Sequence, residues 1–173
     1  MPAAFRGGSV GWTVTNDRLQ MGDVFTEHTG TRMPQERKRP EVTRTRIADE
    51  NNAVLTIKGG NGAYRKEPCA ECPWRKEHAG SFPAEAFRHS APTAYDMARE
   101  TFACHMSGKH APTTCAGFIL ASDHNMNLRM AEIDGRLDYS KISDGGADLF
   151  ESYREMAIAN GVDPDDPTIA PCR

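Results

Sequence analysis

The first fifty residues show no sustained hydrophobic period of either 2 or 3.6, and are rich in Thr, Arg, Gly and Pro. They read as a mostly disordered arm. Within it, Val10-Gly11-Trp12-Thr13-Val14 suits a short strand, but no partner for that strand is evident. Val54-Leu55-Thr56-Ile57 predicts a strand that stops at Gly59-Gly60-Asn61-Gly62. Ser81-Phe82-Pro83-Ala84-Glu85 opens a helix, with Pro near its first position and an acid in its first turn. A second helix is expected over about 93–100, before an extended Phe102-Ala103-Cys104. Pro112-Thr113-Thr114 starts a third that runs through Ala121, and Asn125 to about Asp134 forms a fourth, stopped by Gly135. In 147–160, Leu149, Phe150, Tyr153, Met156 and Ala157 mark one apolar face, with Gly161 as the stop.

Composition sharpens this outline. Only 38% of the 173 residues are hydrophobic, and there are 15 glycines and 11 prolines. Such a chain is one domain long with a thin core, which a bound metal would reinforce. No 18-residue apolar run is present and the first residues lack the apolar stretch of a secretory signal, so the expected setting is the reducing cytoplasm, without a membrane.

Cysteine placement carries the chemistry. Four of the five cysteines fall within one 47-residue window: Cys69 and Cys72 as a C-x₂-C chelate, then Cys104 and Cys115. Two thiols three residues apart can face one ion from a single turn, and two more complete four soft ligands. In a reducing compartment such a set favours metal over disulfides. The expected metal ligands are Cys69, Cys72, Cys104 and Cys115; Cys172, the last residue but one of the sequence, is left out as mobile. The intervals match neither a paired C-x₂-C ribbon nor a C₂H₂ finger. Zn²⁺ is the leading cofactor, because thiolates bind it without assembly machinery. A [4Fe-4S] cluster is the alternative, because Pro73 follows Cys72 and the aromatics Trp74, Phe102 and Phe118 stand next to ligands.

His105, beside Cys104, is read as a surface or supporting histidine, with ligation or acid–base work as the sharper options. Ser107-Gly108-Lys109 lacks the frame of a phosphate loop. Arg65, Lys66, Arg75 and Lys76 make the chelate loop cationic, which offsets the charge of four thiolates. No catalytic triad, paired-carboxylate motif or dinucleotide fingerprint is visible, so catalytic residues are unknown.

The net charge of −3 hides a polarity. Arg32, Arg37, Lys38, Arg39, Arg44 and Arg46 face only Glu36 and Glu41 across 32–46, whereas 132–173 carry ten acids against four bases. A basic arm on an acidic body suits a nucleic acid or protein partner, and equally a solvated tail.

The string Cys69-x₂-Cys72-Pro73-Trp74-Arg75, followed by Cys104-His105 and Cys115-Ala116-Gly117-Phe118, resembles an uncharacterised small Cys-rich family of actinobacteria and their phages, a domain of unknown function. Asn125…Arg129 and Met156…Asn160-Gly161-Val162 fit the same likeness, which covers about 60–165. The resemblance implies the four-cysteine assignment and a phage or actinobacterial setting, and names no reaction.

The expected fold is α+β and mainly helical: a small metal-centred single domain with a short strand or hairpin. Residues 1–50 form the arm, 51–165 the metal-binding domain and 166–173 a tail. The expected role is a non-catalytic module, through 32–46 and the 65–76 loop. The alternative is an iron–sulfur protein with a redox-sensing or enzymatic role, on nucleotides or DNA.

Overall fold

The computed structural model describes residues 12–15 and 39–173. Four strands, β1 (Trp12–Thr15), β2 (Glu41–Ile47), β3 (Ala53–Lys58) and β4 (Glu100–Ala103), make one sheet in the order β2-β3-β1-β4. β2 and β3 form an antiparallel hairpin whose turn is held by the Asp49 carboxylate, which accepts from Asn51 N and Asn52 Nδ2. β1 runs parallel to β3, Trp12 opposite Leu55, and antiparallel to β4, Trp12 opposite Ala103. The strand read near residue 12 therefore has two partners, and a second strand falls at 41–47. Both lie inside the span expected to be a disordered arm, and β2 includes Arg44 and Arg46 of its basic stretch. Arg32, Arg37 and Lys38 lie outside the described residues.

Four short helices pack beyond the sheet: α1 (Ala84–Ser90), α2 (Ala116–Ala121), α3 (Met126–Ile133) and α4 (Tyr153–Ala159). None of these exceeds eight residues, so the described chain is less helical than its sequence suggests. Local chemistry sets their ends. Asn125 caps α3 by accepting from Asn127 N and Leu128 N, and Gly135 closes it at φ 68°. The Ser152 hydroxyl caps α4 by accepting from Glu155 N, while the Glu155 carboxylate accepts from Glu151 N.

The helix expected over 93–100 does not form. Ala91–Ala94 is one 3₁₀ turn, Met97 takes a left-handed φ of 58°, and Glu100 already belongs to β4. Pro92 lacks a donor, and the fully buried Asn125 amide donates to the carbonyls of Thr93 and Glu100. Those carbonyls are thus tied to the start of α3 instead of to a helix of their own.

The core is built on Trp74, which is fully buried. Its ring meets Phe102, Phe118 and Tyr153 at centroid distances of 6.4, 6.3 and 6.1 Å, edge-on or tilted. The last residues join this core as well. Ile169 and Cys172 are buried, Arg173 N donates to Ala94 O, and Arg173 O accepts from Tyr153 N. The expected tail at 166–173 is thus part of the packed body, and Cys172 is fixed.

Gly117 sits in α2 where a Cβ would lie 2.5 Å from Trp74 Cβ and 2.7 Å from its Cγ. Ala is worth about 1 kcal/mol over Gly at an unhindered helical position. Here the clash reverses the sign, because Trp74 has no free space to yield into. Gly117→Ala is expected to destabilise the protein by about 1–3 kcal/mol in urea unfolding, in line with overpacked cores. An unchanged or raised midpoint would remove the close approach of α2 to Trp74.

Candidate metal centre

Two separate pieces of backbone bring the four cysteines together. The chelate lies in a turn closed by Cys72 N donating to Cys69 O at 3.1 Å, and the next turn by Arg75 N to Cys72 O at 3.0 Å. Cys104 and Cys115 flank an antiparallel bridge between Ala103 and Thr114. Its rungs are Cys104 N to Thr113 O at 2.7 Å and Cys115 N to Phe102 O at 2.9 Å. Thr114 also pairs on its other side, exchanging bonds of 2.9 Å with Ala63 O and Arg65 N. Residues 113–115 are therefore held between the end of β4 and the segment that leads into the chelate. This central strand brings the two halves of the cysteine set side by side.

Cys72 Sγ lies 3.5 Å from Cys115 Sγ, and Cys69 shares hydrogen bonds with both Cys72 and Cys104. Cys72, Cys104 and Cys115 are almost wholly buried, while Cys69 is half-buried. Backbone donors aim at two of the sulfurs: Trp74 N–H at Cys72 and Met106 N–H at Cys104, each two residues further along. The hydrogen bond with Cys115, aided by burial, pushes the Cys72 thiol far up. The bond to Cys69 does the same to Cys104. For Cys69 the bond with Cys104 lowers the value, but the bond with Cys72 and burial outweigh it, leaving the thiol pushed up to about 11. Burial and mutual hydrogen bonding thus favour the protonated thiols of Cys69, Cys72 and Cys104. As they stand, no three or more His, Cys, Asp or Glu side chains among the described residues form a group that could hold a metal ion.

The neighbouring residues fall into clear roles. Arg65 is the cation that acts on Cys69 and Cys104. Arg75 is engaged with Glu77 at 2.9 Å and Pro68 O, though its buried Nε has no partner, and Lys76 pairs with Asp148 at 3.2 Å. His105 is not on the surface. Its ring packs edge-on to Phe82 with centroids 5.9 Å apart, and its Nε2 lies 4.0 Å from the Glu71 carboxylate. Neither ring nitrogen has a hydrogen-bond partner, and burial pushes the imidazole pKa down, against the pull of Glu71. Cys172 stands apart from the four, its thiol donating to Ala91 O and Thr168 O, with burial pushing it up to about 12.

Sequence reasoning missed the role of Thr113 and Thr114, two threonines without a metal signature whose β-propensity was the only available signal. It also missed the burial of Cys172.

Residues 64–173 match the model of a family of unknown function, DUF6283. The chain belongs to this family. The matched span holds all four clustered cysteines and runs to the last residue, consistent with the docking of 166–173 on the core. No curated protein and no solved structure matches the chain. Among the described residues, no helix is long and apolar enough to cross a membrane.

Cys172 generates a pH prediction. Its thiol, ordinarily near 9.0, is held at about 12 in the folded chain. Between those values the unfolded chain sheds the proton and the folded one keeps it, so stability falls as pH rises. The contribution is whole below about pH 9 and lost toward pH 12. Urea midpoints measured from pH 7 to 10.5 are expected to decline above pH 9, and less steeply in Cys172→Ala. Parallel declines in both proteins would exclude Cys172 as a source.

Proposed function

We propose that Cys69, Cys72, Cys104 and Cys115 hold one Zn²⁺ ion in a closed structural site, and that the chain is a metal-stabilised, non-catalytic module of phage or actinobacterial type. The observation that carries this reading is the direct sulfur contact. Ligands about 2.3 Å from a tetrahedral zinc stand ~3.8 Å from one another, close to the 3.5 Å between Cys72 and Cys115. A dication held there would take the place of the thiol protons, and the backbone N–H groups of Trp74 and Met106 would support the thiolates of Cys72 and Cys104. Zinc here supplies cross-linking and charge neutralisation; the residues do the positioning.

A closed four-sulfur shell leaves no position for a substrate. The cavity that His105 lines with Phe82, Phe87 and Ser90 measures about 10 Å³, roughly one water molecule. Both points favour the module over an enzyme. The iron–sulfur alternative, with its redox-sensing or nucleotide-directed role, draws on the burial of Cys72, Cys104 and Cys115 beside Trp74, Phe102 and Phe118. A cubane, however, puts iron and sulfide between its thiolates, which asks for more room than touching sulfurs leave.

Protein purified without chelator, under anaerobic conditions, is expected to contain one zinc per chain and to be colourless. Cys115→Ser is expected to lose most of that zinc and to unfold at lower urea, because binding and folding are coupled. A brown protein with broad visible absorption would replace zinc by a cluster. Full zinc in Cys115→Ser would remove the assignment.

The module's partner in this reading is a nucleic acid or a protein, met through the basic stretch. Arg39, two residues before β2, and Arg44, within it, are exposed, whereas Arg46 donates to His89 O. Contact would be to phosphate, since no aromatics are interleaved to stack on bases. A double Arg39→Ala, Arg44→Ala variant keeps the sheet intact, unlike a truncation at Asp49, which removes β1 and β2. It is expected to abolish any low-salt gel shift of duplex DNA given by the parent chain. An equal shift from both proteins would free these two residues from that role.

A further inference from the structure

Two Asn-Gly pairs stand in this chain, Asn61-Gly62 and Asn160-Gly161. Such a pair carries its own reagent. Glycine has no Cβ to shield its backbone nitrogen, which can reach the carboxamide carbon of the asparagine before it. In a folded chain the outcome depends on what holds three atoms: the attacking nitrogen, the carboxamide oxygen and the departing amide nitrogen. The fold treats the two pairs in opposite ways.

At Asn160, which is 5% exposed, all three are tied. Nδ2 donates to Met156 O at 2.8 Å, Oδ1 accepts from Gly80 N at 3.0 Å, and Gly161 N donates to Ile158 O at 2.9 Å. Attack there would break the closing turn of α4. Asn61 and Gly62 are both exposed, and beyond the chain neighbours no atom lies within 4 Å of the place a Gly62 Cβ would take. Among the described residues, neither Gly62 N nor Asn61 Nδ2 has a hydrogen-bond partner. The one bond present favours attack: Asn61 Oδ1 accepts from Ala63 N at 2.9 Å. Addition to Cγ drives negative charge onto that oxygen, so the Ala63 N–H stands where the charge develops. We infer that Asn61 is a modification site that needs no enzyme: its side-chain amide is lost to Gly62, leaving aspartate and isoaspartate, while Asn160 persists.

The step balances with water alone. Gly62 N gives its proton to solvent base and bonds to Asn61 Cγ; the Cγ–Nδ2 bond breaks and ammonia leaves, closing a succinimide ring. Water then opens the ring. Breaking the ring bond at Cγ gives aspartate. Breaking it at the main-chain carbonyl carbon gives isoaspartate, with the backbone routed through the side chain. One water enters, one ammonia departs, and nothing is oxidised or reduced. Both products carry one more negative charge, and isoaspartate also adds a carbon to the backbone. That carbon enters two residues before Ala63, whose carbonyl accepts from Thr114 N at 2.9 Å. A longer chain at this point loosens the strand that sets Cys115.

The purified full chain is aged in mildly alkaline heavy-oxygen water, folded and, in parallel, unfolded in urea, then digested with trypsin in ordinary water. Cleavage after Lys58 and Arg65, and after Arg154, puts the two pairs in separate peptides. In the folded chain the 59–65 peptide is expected to turn from amide to heavy-oxygen-labelled acid, in aspartyl and isoaspartyl forms. The 155–173 peptide is expected to change about tenfold more slowly or less, as the hydrogen bonds to be broken require. In urea the two are expected to convert at similar rates. An Asn61 that keeps its amide in the folded chain and loses it in urea overturns the inference, as does an Asn160 that converts as fast as Asn61 in the folded chain. The aged chain is expected to unfold at lower urea than the fresh one, and fresh Asn61→Asp, which adds the charge without the carbon, at the fresh midpoint. An aged chain with an unchanged midpoint overturns the loosened strand.

Discussion

Four sulfurs packed into one buried spot cannot all be negative unless something balances them. Two bare thiolates 3.5 Å apart, as Cys72 and Cys115 would be, repel by about 5 kcal/mol at an effective dielectric of about 20. Only three states escape this penalty. The thiols can keep their protons, a cation can take the protons' place, or the sulfurs can bond to one another. The described structure is the first state, which is why burial and mutual hydrogen bonds push Cys69, Cys72 and Cys104 upward. The zinc proposal is the second. One electrostatic constraint therefore links all three.

This constraint reaches the rest of the fold because site and core share the same stretches of chain. Cys72 is followed by Pro73 and Trp74, and Trp74 is the ring around which Phe102, Phe118 and Tyr153 assemble. Cys104 follows β4, which supplies Phe102. Cys115 precedes Gly117, where the absent side chain lets Trp74 approach, and Phe118, which fills the space beside it. A shift of Cys72 or Cys104 by a fraction of its side-chain length would disturb the aromatic contact of Trp74 or Phe102, each two residues away. Cross-linking the sulfurs then acts directly on packing, which a core this small has few other means of securing.

Legibility followed the range of each interaction. The chelate and the stops at Gly135 and Gly161 are local; sequence reasoning placed α3 to within a residue at each end, and the expected span 147–160 contains α4, which starts six residues later at Tyr153. The partner of the strand near Trp12 was invisible because it involves parallel pairing with Leu55, forty-three positions away. The failed helix at 93–100 has the same origin: its carbonyls are claimed by Asn125, a residue that reads only as the start of the next helix. Gly117 looked like an unremarkable helical glycine, since its reason lies in Trp74. Cys172 was read as mobile from its position, when contacts with Ala91 and Thr168 bury it.

The sheet also explains how a region outside the family match bears on the cysteines. The matched span begins at residue 64, yet β4 inside it is flanked on one side by β1 and on the other by the strand through Thr114. Backbone groups on both edges of β4 are thereby paired, and its short run of four residues is fixed in register from both sides. Register is what decides where Cys104 points, because a slip of one residue turns a side chain to the opposite face. Strand β1 thus contributes to the cysteine set without supplying a ligand. It holds β4 in the one alignment that sets Cys104 beside Cys69, and β2 and β3 in turn hold β1.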